Sequence, residues 1–224
     1  MAKFSKIARF IISVIAVLLW GFIPSFASAA EDGVTLGSAL RFSAGIASAF
    51  LIHEGSHALV AGLTNTDMNW EMGNYNQPIG FTENASSNGK GIAIYSAGLL
   101  SQVVGSEIIL QSDKIDKNDA FIRGMMAWNI LNPILYSLDY WVFRVTNKEN
   151  QKKYQGDLEG MEHYANEPTA HGFALSMAAI ATYQGYRFLQ TQSWTPDWLK
   201  DNFNGLSLAP LPSGGFIIGY EFTF

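Results

Sequence analysis

The chain has 224 residues, a net charge of −5 and no cysteine. The lack of cysteine excludes disulfides, thiolate metal ligands and cysteine nucleophiles, and the acidic balance disfavours nucleic acid as a partner. Apolar residues make up 48% of the sequence and charged residues only 15%, a composition that favours a membrane or envelope protein.

The first 30 residues have the pattern of a targeting segment. Basic residues precede an apolar run, and an A-x-A sequence typical of a cleavage site follows it: Lys3, Lys6, Arg9, then 10–26 and 27–29. This pattern predicts a signal peptide. Because the apolar run is long for a signal peptide, an uncleaved first transmembrane helix is the alternative. Both interpretations place residue 31 outside the cytoplasm.

An HExxH motif lies inside the next predicted helix, residues 37–63. Residues four apart share one face of a helix, so His53 and His57 can bind one metal ion. Two imidazoles suit Zn²⁺, which prefers tetrahedral coordination by nitrogen and sulfur. Glu54 follows His53 directly in the helix, and its carboxylate can accept a proton from a water molecule activated by the ion. The motif therefore predicts two metal ligands and one general base.

The rest of the chain alternates between apolar and polar stretches. Glycine, asparagine and proline interrupt residues 64–90, where short segments can pair as a hairpin. Strict alternation of apolar residues at the C-terminus predicts a strand. The predicted elements are the hairpin at 68–72 and 79–82, apolar helices at 91–111, 125–143 and 171–190, a polar segment at 144–170, and the strand at 216–224.

Together these patterns predict a mainly α fold. We expect a bundle of about four to five apolar, transmembrane helices, with a short β-hairpin after the HExxH helix and a C-terminal β-strand. The predicted organisation is a leader or first membrane helix at 1–30, a helical domain at 31–190 and a tail at 191–224.

A third metal ligand is predicted from depth in the membrane. If successive apolar stretches cross a bilayer, the HExxH helix and the stretch at 125–143 run in the same direction. His57 and Asp139 then lie within a few ångströms of each other in depth, at about 1.5 Å of rise per residue. Asp139 is therefore the predicted third ligand, which leaves one coordination position open for water.

These residues resemble the site-2 protease family of intramembrane zinc metalloproteases. His53-Glu54-Gly55-Ser56-His57-Ala58-Leu59-Val60-Ala61 resembles the family's HExxH helix, and the interrupted segment 64–90 resembles its membrane-associated β-hairpin. Tyr95-Ser96-Ala97-Gly98-Leu99-Leu100-Ser101-Gln102 resembles its next helix. Leu138-Asp139 resembles its Leu-Asp-Gly motif, although Tyr140 stands where the family has glycine. The resemblance implies that Asp139 is the third zinc ligand.

The first functional hypothesis is accordingly a zinc-dependent membrane endopeptidase. Glu54 is the general base, and His53, His57 and Asp139 bind Zn²⁺. The expected partners are a membrane-anchored protein or peptide substrate and membrane lipid, and the expected location is the cell membrane or envelope.

Two alternatives stay open. One is an exported helical zinc peptidase outside the bilayer, which the near-neutral hydropathy after residue 30 favours. Its third ligand would come from the polar segment, with three candidates: Glu159, Glu162 and His163. The other is an envelope protein without enzymatic activity whose metal site is structural.

Overall fold

The HExxH helix, α1, is the longest helix of the described residues. The computed structural model describes residues 35–74, 77–141, 156–197, 206–210 and 216–220, so the predicted targeting segment at 1–30 lies outside the described residues. In chain order the elements are α1 (Leu36–Leu63), β1 (Met68–Asn74), β2 (Gln77–Glu83), α2 (Asn88–Gln111), α3 (Ala120–Asp139), α4 (Asp157–Tyr164), α5 (Glu167–Thr191), β3 (Leu206–Pro210) and β4 (Phe216–Tyr220). The predicted mainly helical fold is confirmed.

A short polar residue caps the N-terminus of each of the four long helices. The side chains of Thr35, Ser87, Asp119 and Asn166 each accept a hydrogen bond from a backbone N–H in the first turn of α1, α2, α3 and α5. Such N-caps satisfy donors that would otherwise have no partner at the start of a helix. The sequence thus fixes where these helices begin.

Two glycines bring the backbones of α1 and α3 together. A Cβ at Gly45 would lie 2.0 Å from the carbonyl oxygen of Phe121, and a Cβ at Gly124 would lie 2.0 Å from that of Phe42. Small residues at such crossings are typical of helices packed in membranes. Further along, the ring centroids of Phe50 and Trp128 are 5.9 Å apart. From these glycines to Phe50 and Trp128, residue numbers increase in both helices. Helices α1 and α3 therefore run in the same direction, as expected if successive apolar stretches cross a bilayer.

The remaining helices pack around α2. One buried cluster joins α2, α4, α5 and the C-terminal end of α3: Leu99, Tyr140, Leu158, Met161, Ala170, Ala174 and Met177. A second joins α2, α3 and α5: Ile109, Met126, Ile130 and Phe188. The strands form two antiparallel pairs, with Met68 opposite Glu83 in β1–β2 and Leu206 opposite Tyr220 in β3–β4.

Two of the described helices, α1 and α2, are long and apolar enough to cross a membrane. Large apolar side chains of α1 point away from the rest of the structure, with exposed fractions of up to 77%: Leu36, Leu40, Leu51, Ile52, Leu59 and Leu63. On α2 the exposed apolar residues recur every four positions: Leu100, Val104 and Ile108. The larger count of four to five transmembrane helices stays a prediction.

Candidate metal centre

The two histidines of the motif lie on the narrow buried side of α1. The buried residues of this helix recur at every fourth position: Gly45, Ala49, His53, His57 and Ala61. His57 is fully buried and His53 nearly so, whereas Glu54 beside them is half-buried. The spacing of four residues thus places both imidazoles against the other helices, as the motif predicts.

A hydrogen bond to α2 fixes the orientation of His57. Its Nδ1 lies 2.6 Å from the carbonyl oxygen of Ile94. A carbonyl oxygen can only accept, so Nδ1 carries the proton and donates. In the neutral ring, Nε2 therefore keeps a lone pair that is available to a metal ion. Metal-binding histidines usually have such an outer hydrogen bond.

A carboxylate from α4 completes a triangle of donor atoms. The Nε2 atoms of His53 and His57 are 3.3 Å apart. Asp157 Oδ2 lies 3.3 Å from His53 Nε2, and Asp157 Oδ1 lies 3.3 Å from His57 Nε2. Ligands at zinc distances of 2.0–2.1 Å in a tetrahedron are separated by about 3.3 Å. The two imidazole nitrogens have this spacing, and each oxygen of Asp157 lies at the same distance from one of them. The buried group of His53, His57 and Asp157 can hold a metal ion.

A glycine of α2 leaves the space beside these donors open. A Cβ at Gly98 would lie 2.4 Å from His57 Nε2 and 2.6 Å from His53 Nε2. Any side chain here would collide with the atoms that face the centre. The absence of a side chain at this position therefore fits a site that accommodates an ion.

The charges of the group also fit a cation. Asp157 is buried, and burial alone would raise the pKa of its carboxyl, but positive charge on the neighbouring His57 and His53 lowers it below its usual range. A bound cation would supply the same positive charge when the imidazoles are neutral. The carboxylate is therefore ionised. His53 Nδ1 is buried and has no hydrogen-bond partner among the described residues, and the buried Asp157 Oδ2 makes no hydrogen bond there beyond its 3.3 Å contact with His53 Nε2. Buried polar atoms without partners are costly, and a bound cation would compensate Oδ2.

Glu54 is placed to act beside the donor triangle. Its half-buried carboxylate interacts electrostatically with His53, His57 and Asp157, yet Glu54 is not a member of the donor group. A carboxylate in this position can exchange protons with a water molecule at the centre. On the side of α3, the ring centroid of Tyr136 lies 6.2 Å from that of His53.

The predicted third ligand, Asp139, does not belong to the donor group. It is the last residue of α3 and is half-buried. The depth of a residue along the helix axis does not determine the direction in which its side chain points. The imidazoles turn toward Gly98 of α2 and Asp157 of α4, and there the described carboxylate is that of Asp157.

The three alternative ligands from the polar segment also lie outside the donor group. Glu162 accepts a hydrogen bond from the Tyr140 hydroxyl at 2.7 Å. His163 is exposed and packs edge-on against Tyr164, and Glu159 is half-buried. Among the described residues of this segment, the one whose carboxylate reaches the histidines is Asp157.

Asp157 carries a weak sequence signal that lies outside both the HExxH motif and the stretches resembling site-2 proteases. It begins α4 directly after Gly156, and Gly160 follows one turn later. Glycines at this spacing mark a helix whose backbone can approach another closely. An acidic residue on that same face is a candidate for a buried role.

No protein-family model, curated protein or solved structure matches this chain. The resemblance to site-2 proteases therefore stays a prediction that depends on the quoted motifs. What this centre can do follows from its own atoms, which are two imidazole nitrogens and one carboxylate around a small space, with a second carboxylate beside them.

Proposed function

We propose that this chain is a zinc-dependent membrane endopeptidase of the site-2 protease type. The observation that carries the proposal is the buried group of His53, His57 and Asp157, in which the two Nε2 atoms are 3.3 Å apart and each lies 3.3 Å from one oxygen of the carboxylate, a spacing that suits a tetrahedral zinc site. Three protein ligands leave a fourth position open, which is the arrangement of catalytic rather than structural zinc.

The donor set favours a transition metal such as zinc over calcium and magnesium. Two imidazoles and one carboxylate suit Zn²⁺, whereas Ca²⁺ and Mg²⁺ prefer oxygen ligands alone. A zinc ion bound here would lower the pKa of water and polarise a peptide carbonyl.

Glu54 is the proposed general base. Its carboxylate accepts a proton from the water that attacks the peptide carbonyl and then donates that proton to the departing amine. The outer hydrogen bond from His57 Nδ1 to the Ile94 carbonyl holds that imidazole in the tautomer with a free Nε2. Gly98 keeps the space beside both rings open.

The proposed substrate is a membrane-anchored protein. His57 lies about 9 Å along the axis from the C-terminal end of α1, at 1.5 Å of rise per residue. If α1 crosses a bilayer, the centre lies within the apolar layer and is reached from the membrane. The exposed apolar side chains of α1 and α2 support this placement, because lipid would cover them. The bundle would then include the four to five membrane helices predicted from the sequence.

The first test compares the wild type with Glu54→Gln. Both proteins, purified in detergent, should contain about one zinc per chain by elemental analysis, because glutamine leaves the three ligands in place. Only the wild type should cleave a library of fluorogenic single-span peptides, and chelation should abolish its activity. Asp67→Asn is the matched control, since it removes an exposed carboxylate after the same helix.

Two outcomes would contradict the proposal. A wild type that binds no divalent metal would remove the centre, and a Glu54→Gln variant with full activity would remove the proposed base. Extraction of the protein from membranes by alkaline carbonate would favour the exported peptidase outside the bilayer.

A further inference from the structure

The third ligand sits on the shortest described helix. Helix α4 has eight residues, and Gly156 before it makes no side-chain capping hydrogen bond. Short helices have little stability of their own, so their position depends on tertiary packing. The place of Asp157 beside the histidines therefore depends on what holds α4 against its neighbours.

Glycines and tyrosines hold α4 against α2 in a reciprocal way. A Cβ at Gly160 would lie 2.1 Å from the ring of Tyr95, and a Cβ at Gly91 would lie 2.2 Å from the ring of Tyr164. Each tyrosine thus lies on the glycine of the other helix. The two pairs define an antiparallel register, and the next turn of this register places Asp157 level with Gly98.

Both tyrosines also donate to one carboxylate outside the two helices. The Tyr95 hydroxyl donates to Glu83 Oε2 at 2.6 Å, and the Tyr164 hydroxyl donates to Glu83 Oε1. Glu83 is the last residue of β2. Hydrogen bonds to ionised acceptors are about twice as strong as those between neutral groups. One residue of the β1–β2 pair therefore fixes both of the rings that set the register of α2 and α4.

We propose that Glu83 is a positioning residue for the metal centre, acting through Tyr95 and Tyr164 on Asp157. This inference rests on the proposed metal site and adds a regulatory consequence to it. The third ligand is in place when β2 is seated against the helices, and displacement of β2 loosens α4. The affinity of the centre for metal is thereby coupled to whatever the β1–β2 pair contacts.

The test measures metal binding rather than proteolysis. Glu83→Gln keeps the size of the side chain but removes its charge and one of its two acceptor oxygens. We expect zinc affinity, measured by competition with a chromophoric chelator, to fall about 10- to 100-fold, the range seen when outer partners of metal ligands are removed. The visible absorption of the cobalt-substituted protein should also change, because the Asp157 carboxylate is less firmly held.

Two further variants separate positioning from general destabilisation. Tyr164→Phe keeps the ring on Gly91 and removes only its hydroxyl, and its effect should not add to that of Glu83→Gln. Glu107→Gln, the matched control, removes another hydrogen-bonded carboxylate, which bonds Arg187 of α5. It should lower stability while leaving the zinc affinity and cobalt spectrum unchanged.

The possible results distinguish the two proposals. If the wild type binds zinc and both Glu83→Gln and Tyr164→Phe match its affinity and cobalt spectrum, the positioning role is wrong and the metal site stands. If the wild type binds no zinc or cobalt, both proposals fall. Should Glu83→Gln not fold, Tyr164→Phe alone decides, since a wild-type spectrum for that variant contradicts the coupling.

Discussion

Two groups of polar side chains lie between the apolar helices, and they differ in how their atoms are paired. At one, Glu107 of α2 accepts hydrogen bonds from Arg187 to both of its oxygens at 2.8 Å, and Gln111 and Gln184 donate to it as well. At the other, the nitrogens and oxygens of His53, His57 and Asp157 face one another, and His53 Nδ1 is buried without a hydrogen-bond partner among the described residues.

The difference separates a structural ion pair from a ligand site. Around Glu107 an anion and a cation face each other, so the charges of the group balance without any addition, although Gln184 Oε1 is buried without a hydrogen-bond partner among the described residues. At the histidines, lone pairs face a common space that Gly98 keeps open, and a cation is the partner that such an arrangement lacks. Buried polarity alone therefore does not indicate function, whereas convergence of acceptor atoms does.

The strongest expected effect is that of Gly98→Ala, which tests the open space directly. The added methyl would lie 2.4 to 2.6 Å from atoms of both imidazoles, so we expect zinc binding to be lost. Gly105→Ala is the control on the same helix, because its Cβ would make an ordinary contact at 3.5 Å. Elemental analysis of the two variants measures the difference. A Gly98→Ala protein with one zinc per chain would show that the ion does not bind in this space.

The next effect is that of Asp157→Asn, which keeps the shape of the side chain and removes its charge. We expect zinc affinity to fall by more than about 100-fold, because removing even an outer partner of a ligand costs 10- to 100-fold. Asp139→Asn is the matched control and should bind zinc as the wild type does. Competition with a chelator measures both. The reverse result would restore Asp139 as the ligand and leave Asp157 as a structural partner of the histidines.

The long helices could be predicted because their signals are local. Apolar stretches and capping residues such as Thr35 and Asp119 lie within the elements that they define. Helix α4 was not predicted, because eight residues of mixed polarity carry no clear periodicity. Its position comes from contacts of Gly160 and Tyr164 with α2, which are distant in sequence.

The candidate metal centre could likewise be predicted only in part. His53, Glu54 and His57 follow from one turn of helix, and the parallel course of α1 and α3 follows from the alternation of apolar stretches. The third member of the donor group, Asp157, did not follow, since depth along an axis does not give the direction in which a side chain points. The signal for Asp157 lies in Gly91, Gly98 and Gly160 together, and their meaning appears only when α2 and α4 are paired.

The smallest expected effect concerns the ion pair of Glu107 and Arg187, the polar group that needs no bound ion. Arg187→Met keeps most of the side-chain volume but removes the partner of Glu107, whose side chain is partly exposed. We expect a loss of about 1.5–3 kcal/mol in the free energy of unfolding, the usual range for hydrogen bonds to charged groups. Zinc content should not change. Denaturant unfolding in detergent micelles, followed by circular dichroism, measures the stability.

Arg41→Met provides the control for this prediction. Arg41 pairs with Asp119 near the start of α1, but its side chain is 64% exposed. Exposed ion pairs contribute about 0–1 kcal/mol, so this variant should lose less stability than Arg187→Met. A loss of zinc from Arg187→Met would show that the two polar groups are coupled. The structural pair would then support the ligand site, and the separation drawn between them would not hold.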